Sequence, residues 1–242
     1  MFRSLALLLF LPPYLLLACG FGLVLARIQG SAHVLYRLAR FGCRASLWIA
    51  GTRVELHGLE PLVRDPRNVV VMPNHESNLD APILFGLIPV DFKAVYKREL
   101  DLLPLFAQAL HFAGFIPVNR KQRSAAKRAV ARAVSSLRDG SAFVIFPEGT
   151  RSRNGELGEF KKGAFVAALE AGSRIFPVSL SGARDLMPRG GFSVRPGKVT
   201  VRVLDPIDAR AYSYAGREGL RDEVRARIEA ALRGPLSAEG AA

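Results

Sequence analysis

The sequence predicts an α/β protein: a mixed, largely parallel sheet of about seven strands flanked by helices, preceded by an N-terminal membrane-associating helical segment. Two observations carry this expectation. From Leu5 to Ala26 no residue is charged, and Leu, Phe, Ala and Val dominate; about 20 apolar residues suffice to cross a bilayer as a helix. After Gly51, short apolar runs alternate with helix-sized segments, the pattern of strands joined by helices over both faces of a sheet. The expected division is membrane-anchoring helices over 1–50 and one α/β domain over 51–242, ending in an amphipathic helix.

The N-terminal segment opens with Arg3 and closes at Arg27. It is long for a signal peptide and lacks a small-x-small cleavage site leading into a polar start. Pro12 and Pro13 lie in its middle. Pro13 lacks an N–H and its ring meets the carbonyl four residues earlier, so the helix should kink or break there. A kinked spanning helix and a segment dipping into one leaflet are both open. Ser31 to Ala50 reads as an amphipathic helix: Arg37, Arg40 and Arg44 share a face, and Leu35, Leu38, Phe41, Leu47 and Trp48 fill much of the rest. That composition suits a helix in the interface of an anionic membrane, and equally one packed on the following domain.

Expected strands are Arg53–Leu56, Val69–Met72, Lys93–Tyr96, Phe115–Val118, Ala142–Phe146, Ile175–Leu180 and Val199–Leu204. Helices are expected over Ala81–Leu87, Leu103–Phe112, Ser124–Leu137 and Ala164–Ala171. Leu220, Val224, Ile228 and Leu232 recur every four residues and give the final amphipathic helix; Leu236–Ala242 reads as a loose tail.

Half of the 242 residues are hydrophobic and the net charge is +13. Such an excess calls for an anionic partner: nucleic acid, an anionic membrane surface or phosphorylated ligands. No nucleic-acid-binding module pattern is present, which sets nucleic acid aside. Cys19 and Cys43 are the only cysteines; without CxxC spacing they give neither a metal site nor a disulfide framework, and a reducing compartment is the simplest expectation.

Four stretches stand out for chemistry. The first is Asn74-His75-Glu76-Ser77-Asn78-Leu79-Asp80, between an apolar strand and a helix start. Such turns, at strand C-terminal ends, are where open α/β sheets place ligands. On a continuous helix His75 and Asp80 would sit about 140° apart. They meet only if the chain bends and Asp80 reaches back from the helix start. A histidine held by a carboxylate is oriented and made more basic, as a general base requires; alternatively His75 is an ordinary loop residue and Asp80 a helix cap. The second stretch runs from Gly114 to Arg120, with Lys121 and Arg123 following. Arg120 could grip a phosphate bidentately and Lys121 add a point charge, or both could be surface cations. Lys127, Arg128 and Arg132 belong to a solvated or membrane-facing helix side.

The third is Phe146-Pro147-Glu148-Gly149-Thr150-Arg151-Ser152. Gly149 allows close backbone approach, Thr150 and Ser152 offer hydroxyls, and Arg151 a fixed fork of donors. This is the chemistry of a phosphate cradle, though not of a Walker loop. Glu148 is awkward beside an anion and suits holding a neighbouring Arg or a backbone N–H. Lys161 and Lys162 precede another helix start, which also favours anions. The fourth stretch, around Pro177, reads as a strand start or edge.

In this order the four stretches resemble the glycerolipid acyltransferase family, most closely the bacterial 1-acyl-glycerol-3-phosphate acyltransferases. Asn74, His75 and Asp80 match the family's Asn-His-x4-Asp motif, Gly114 to Arg120 its second motif, Phe146 to Ser152 its Phe-Pro-Glu-Gly-Thr-Arg-Ser motif, and Pro177 its fourth. The resemblance covers about residues 50–205. It implies His75 as general base, Asp80 as its orienting partner, and Arg120, Gly149, Thr150 and Arg151 around the acceptor's phosphate. Glu148 is grouped with that loop as its support, and Lys121 and Lys161 add anion contacts. It implies acyl transfer from a thioester, acyl-CoA or acyl-carrier protein, to the sn-2 hydroxyl of a lysophospholipid acceptor, giving phosphatidic acid, with no further cofactor and no metal. The chain is then expected at an anionic membrane lipid surface, its catalytic domain facing the cytoplasm (the inner membrane if bacterial). The alternatives are an acyltransferase for a different lysolipid, such as a lyso-aminolipid, and a non-catalytic basic membrane-surface protein.

Overall fold

The structure, a computed structural model, describes residues 2–119, 122–191 and 193–234. Arg120, Lys121 and the Leu236–Ala242 tail lie outside the described residues. Helix α1 (Phe2–Gln29) is 28 residues long and carries Pro12 and Pro13 inside it, so no break occurs at the prolines. A neighbouring helix holds that turn: the Tyr14 hydroxyl donates to the carbonyl of Leu38 at 2.6 Å, in α2 (His33–Ala50). A packed neighbour is what lets proline persist inside a helix. Apart from a few positions such as Leu7, Leu23 and Ala26, α1 leaves its apolar side chains at least partly exposed, and it is long and apolar enough to cross a membrane.

Two of the three α2 arginines point at protein. Arg40 donates to Asp91 at 2.9 Å and Arg44 to the carbonyl of Gly86 at 2.8 Å, while Phe41 and Trp48 are exposed. Of the two readings of this helix, packing on the following domain accounts for Arg40 and Arg44. Gly51, at φ 72°, closes α2 in the left-handed conformation that glycine adopts without strain.

The chain continues through β1 (Thr52–His57), α3 (Glu60–Arg64), β2 (Val69–Pro73), α4 (Asp80–Leu87), β3 (Phe92–Lys97), a 3₁₀ turn (Arg98–Leu102), α5 (Pro104–Phe112), β4 (Ile116–Val118), α6 (Arg123–Arg138) and β5 (Ala142–Val144). It ends with α7 (Lys162–Ala171), β6 (Arg174–Ser181), α8 (Ala183–Leu186), β7 (Gly197–Val203), β8 (Ile207–Asp208), a second 3₁₀ turn (Ala209–Ala211) and α9 (Arg217–Arg233). The sheet order is β1-β7-β6-β2-β5-β3-β4, with β8 beside β6. Strands β6, β2, β5, β3 and β4 are parallel; β7 and β8 run antiparallel to β6, and β1 is parallel to β7. The sheet is mixed and largely parallel, as expected, with the two-residue β8 as an addition too short to show in an apolar pattern.

Every residue of β2 is buried, because both faces of the sheet are covered. Val70, Met72, Phe143 and Ile175 face a core shared with α6, α7 and α9. Val69, Val71, Val144 and Phe176 face one shared with α2, α3 and α4. Pro177 departs from expectation: it lies inside β6, a central strand, opposite Met72. Its carbonyl accepts from Leu204 N, so its missing N–H points to the same side, where the partner chain is interrupted between β7 and β8. The proline removes a donor at a gap in the ladder rather than at a sheet edge.

The topology places the site. From β2 the chain passes through α4 to β3, beyond β5; from β5 it passes through α7 to β6, beyond β2. The two adjacent strands therefore send their connections in opposite directions and over opposite faces, which opens a crevice at their C-terminal ends.

The α2–α4 contact is close. A Cβ added at Gly86 would meet Cys43 Cβ at 2.7 Å, whereas Gly219 in α9 has nothing within 4 Å. Gly86→Ala should destabilise by about 1–3 kcal/mol from overpacking, less the ~1 kcal/mol that alanine gains in a helix. Gly219→Ala should stabilise by roughly 0.5–1 kcal/mol. Thermal melts of the detergent-solubilised variants check the opposite signs; a raised midpoint for Gly86→Ala would mean that α2 is not seated on α4.

Candidate active site

His75 lies two residues past the end of β2, after Asn74, and Asp80 begins α4. The chain bends between them, and one carboxylate oxygen gathers the turn. Asp80 Oδ2 lies 2.7 Å from His75 Nδ1 and accepts the backbone N–H groups of Glu76 at 2.7 Å and Ser77 at 2.9 Å. The Asp80 side chain is fully buried, whereas that of His75 is 20% exposed. With Nδ1 committed to Asp80, Nε2 is the nitrogen left for a substrate. The imidazole stacks on Phe146, ring centroids 4.0 Å apart, so a residue leaving β5 fixes its second face.

The third motif wraps the same turn from below. Glu148 is buried and its two oxygens accept different backbone N–H groups, His75 at 2.8 Å and Gly158 at 2.8 Å. It holds the loop rather than an anion. Burial pushes its carboxyl above the usual range, and those N–H groups pull it back. Ser152 N donates to the carbonyl of His75 at 2.7 Å. Gly149 adopts φ 67°, a turn that an L side chain would strain. Thr150 is exposed and Arg151 half-buried. Arg151 Nη1 is buried and has no hydrogen-bond partner among the described residues, an unmatched donor on a cation. Lys161 is exposed and paired with Glu159 at 2.7 Å, while its backbone N–H donates to Pro147. The structure thus brings His75, Asp80, Glu148 and the Gly149–Arg151 loop to one sheet edge. Strand β4, which leads toward Arg120, ends on that edge too.

A cavity of about 680 Å³ opens beside this turn, within the range of small-molecule sites. His75, Phe146 and Gly149 line one end; Leu15 and Cys19 of α1, Ala39 of α2 and Phe106 of α5 are among its other walls. The lining is overwhelmingly apolar.

The Acyltransferase family model matches residues 53–181, a span that contains the whole His75–Asp80 turn and the Phe146–Ser152 loop. The chain belongs to the acyltransferase family. Its relatives include the 1-acyl-sn-glycerol-3-phosphate acyltransferase of Borreliella burgdorferi, 31% identical over 76% of this chain and 74% of that one. A chloroplastic 1-acyl-sn-glycerol-3-phosphate acyltransferase of Arabidopsis thaliana is 32% identical over 76% of this chain and 54% of its own length. The chain spans about half the length of several curated relatives it matches. The solved structure of the 1-acyl-sn-glycerophosphate (LPA) acyltransferase PlsC from Thermotoga maritima superposes with a TM-score of 0.84 at 25% identity, covering 99% of this chain and 97% of that one.

Within this acyltransferase fold, several supporting contacts lie outside the motif reading. Asn74 clamps β6 through both ends of its amide, donating to Leu180 O at 2.9 Å and accepting from Leu180 N at 2.7 Å. Ser77 Oγ donates to Met187 O at 2.8 Å and accepts from Leu79 N. Arg189 donates to the carbonyl of Arg151 at 2.6 Å. These partners lie over 30 positions away in sequence, save the Ser77–Leu79 bond, so no local pattern announces them. Glu76 is the other. It is buried, accepts from Arg184 N at 3.2 Å, and its pKa is raised from 4.5 to about 7, first by burial and then by the Asp80 charge.

Glu76 predicts a pH signature. The folded chain holds this proton more tightly than the unfolded one. Stability therefore falls as pH rises from about 4.5 through about 7, and the full penalty remains above that. Glu76→Gln keeps an acceptor oxygen for Arg184 and removes the titration. The variant should gain roughly 1–3 kcal/mol over wild type at pH 8 and nothing at pH 4, read from paired denaturation curves. A pH-independent difference would show that Glu76 titrates normally.

Proposed function

We propose that this chain transfers a fatty acyl group from a thioester donor, acyl-CoA or acyl-carrier protein, to the sn-2 hydroxyl of 1-acyl-glycerol-3-phosphate, giving phosphatidic acid. The observation that supports it most is the His75–Asp80 pair, 2.7 Å apart, at one end of an apolar cavity and in the same site as the buried Arg151 Nη1, which has no partner among the described residues. Relatives named as 1-acyl-sn-glycerol-3-phosphate acyltransferases support the same acceptor.

In this mechanism Asp80 accepts the Nδ1–H of His75 and fixes the tautomer, so that Nε2 presents a lone pair. Nε2 takes the proton of the acceptor hydroxyl as its oxygen attacks the thioester carbonyl. The tetrahedral intermediate collapses, the C–S bond breaks, and the thiolate leaves, taking back the proton held on Nε2. No enzyme nucleophile is needed; the Ser77 hydroxyl is already engaged by Met187 and Leu79. Arg151, with Gly149 and Thr150, receives the acceptor phosphate, and Arg120 joins them by motif; Lys121 and Lys161 supply further positive charge. Glu148 keeps the phosphate loop attached to the base. An acyl chain occupies the apolar cavity. Residues 1–50 anchor the chain at an anionic membrane surface and 51–242 form the catalytic unit on the cytoplasmic side, where soluble thioesters are found.

His75→Ala should lower kcat by about 10²–10⁴ while leaving vesicle binding unchanged. Turnover at the wild-type rate would remove His75 from the chemistry. Asp80→Asn should act nearly as strongly, about 10⁴ where a wrong tautomer is trapped. A panel of lysolipids and both donor classes on purified protein tests the substrate assignment. Transfer to another lysolipid with none to lysophosphatidic acid would overturn it.

A further inference from the structure

The segment after β3, through the 3₁₀ turn and α5, is apolar on two sides. Phe106, Ala109, Leu110 and Ala113 recur at helical spacing and line the cavity. On the opposite side Leu102 is 83% exposed and Leu103 53%, followed by Leu105 and Phe112. A helix that is hydrophobic all round belongs in a core or in lipid, and this one has no protein on its outer side. Contiguous exposed apolar surface marks an interaction site.

The polar side chains give an independent observation. Between Leu100 and Phe112 only Asp101, Gln108 and His111 are polar, and all three are used internally. The Tyr96 hydroxyl donates to Asp101 Oδ1 at 2.6 Å and meets His111 Nε2 at 2.7 Å. Gln108 Oε1 accepts from Arg27 of α1 at 3.4 Å. Each of these side chains makes at least one bond within the protein, which lowers the cost of placing this side of the segment in a bilayer. The Arg27 contact also joins this surface to the exposed apolar side of α1, where Phe21 and Ile28 lie bare. Arg98 opens the segment, as suits anionic headgroups, and Lys97 just before it is paired with Glu99 at 3.2 Å.

We infer that the Arg98–Phe112 segment is a membrane-inserted element of the α/β unit, with Leu102 and Leu103 at its tip, seated in an anionic bilayer surface beside α1. It is then the partition between the cavity and the lipid, apolar towards both, and its latch to the sheet is Tyr96 with Asp101 and His111.

The test does not use turnover, so its outcome is separate from that of the acyl-transfer reading. The chain has one tryptophan, Trp48. Leu102→Trp in a Trp48→Phe background should be quenched by vesicles of phosphatidylglycerol and brominated phosphatidylcholine. Arg138→Trp in the same background, at the edge where β5 begins, should not. Leu102→Asp with Leu103→Asp should weaken partitioning into the same vesicles by at least about tenfold, since each leucine contributes over 1 kcal/mol when buried. Unquenched Leu102→Trp emission in protein that cosediments with vesicles overturns the inference. So does unchanged partitioning of the double Asp variant, or failure of the wild type to cosediment at all.

Discussion

Much of the site depends on one buried oxygen. Asp80 Oδ2 gathers an imidazole nitrogen and two backbone N–H groups, and that cluster folds five residues into a turn that no regular structure would produce. A buried carboxylate is tolerated only when donors surround it. The turn supplies three donors to Oδ2, while Oδ1 has none among the described residues, and the carboxylate in turn fixes the turn. The same oxygen sets the histidine tautomer, so backbone shape and chemical readiness are one feature. Glu148 repeats the device from the neighbouring strand, tying His75 N to Gly158 N through a single side chain. Two carboxylates thus hold one histidine between two strand ends, Asp80 by the ring nitrogen Nδ1 and Glu148 by the backbone N–H, and neither bonds Nε2.

The centre of the sheet was legible because β2 and β5 are buried on both faces and read as unbroken apolar runs. Val69–Met72 is the clearest case. The dyad was legible because its two members lie on one short turn. Three things were not. Pro177 pointed to an edge, yet the gap between β7 and β8 accommodates it in a central strand; that gap is a tertiary fact. The arginines of α2 left a membrane interface and packing on the next domain both open, because the carboxylate of Asp91 and the carbonyl of Gly86 that claim Arg40 and Arg44 lie over 40 residues away. Pro12 and Pro13 predicted an interruption, and a helix packed alongside removes the need for one. In each case local chemistry was read correctly and a partner distant in sequence decided the result.

The N-terminal helices are more than an attachment. Leu15 and Cys19 of α1 and Ala39 of α2 wall the cavity that opens at His75, while other faces of the same helices leave Leu17, Phe21 and Trp48 bare. In the proposed reaction this shared use has an energetic reason. An acyl chain loses about 0.8 kcal/mol for each methylene brought into water, so passing a chain of about sixteen carbons through solvent would cost on the order of 12 kcal/mol. A cavity whose walls are themselves apolar on the outside lets the chain exchange between bilayer and protein without that exposure.

The polar half of the reaction sets the opposite requirement. A phosphate and a soluble thioester need cations and water, and the Gly149–Arg151 loop lies at the end of the cavity where Thr150 is exposed and the guanidinium of Arg151 is half-buried. The strand ends divide these two environments, with His75 on the boundary: its ring is stacked on Phe146 and its backbone is held by Glu148. A base placed deeper would meet the chain but not the glycerol hydroxyl, and one placed farther out would be solvated and misaligned. The β2–β5 switch point therefore does more than open a crevice. In the proposed reaction it fixes the base at the end of a cavity walled by α1, α2 and α5, where an amphiphile would present its hydroxyl.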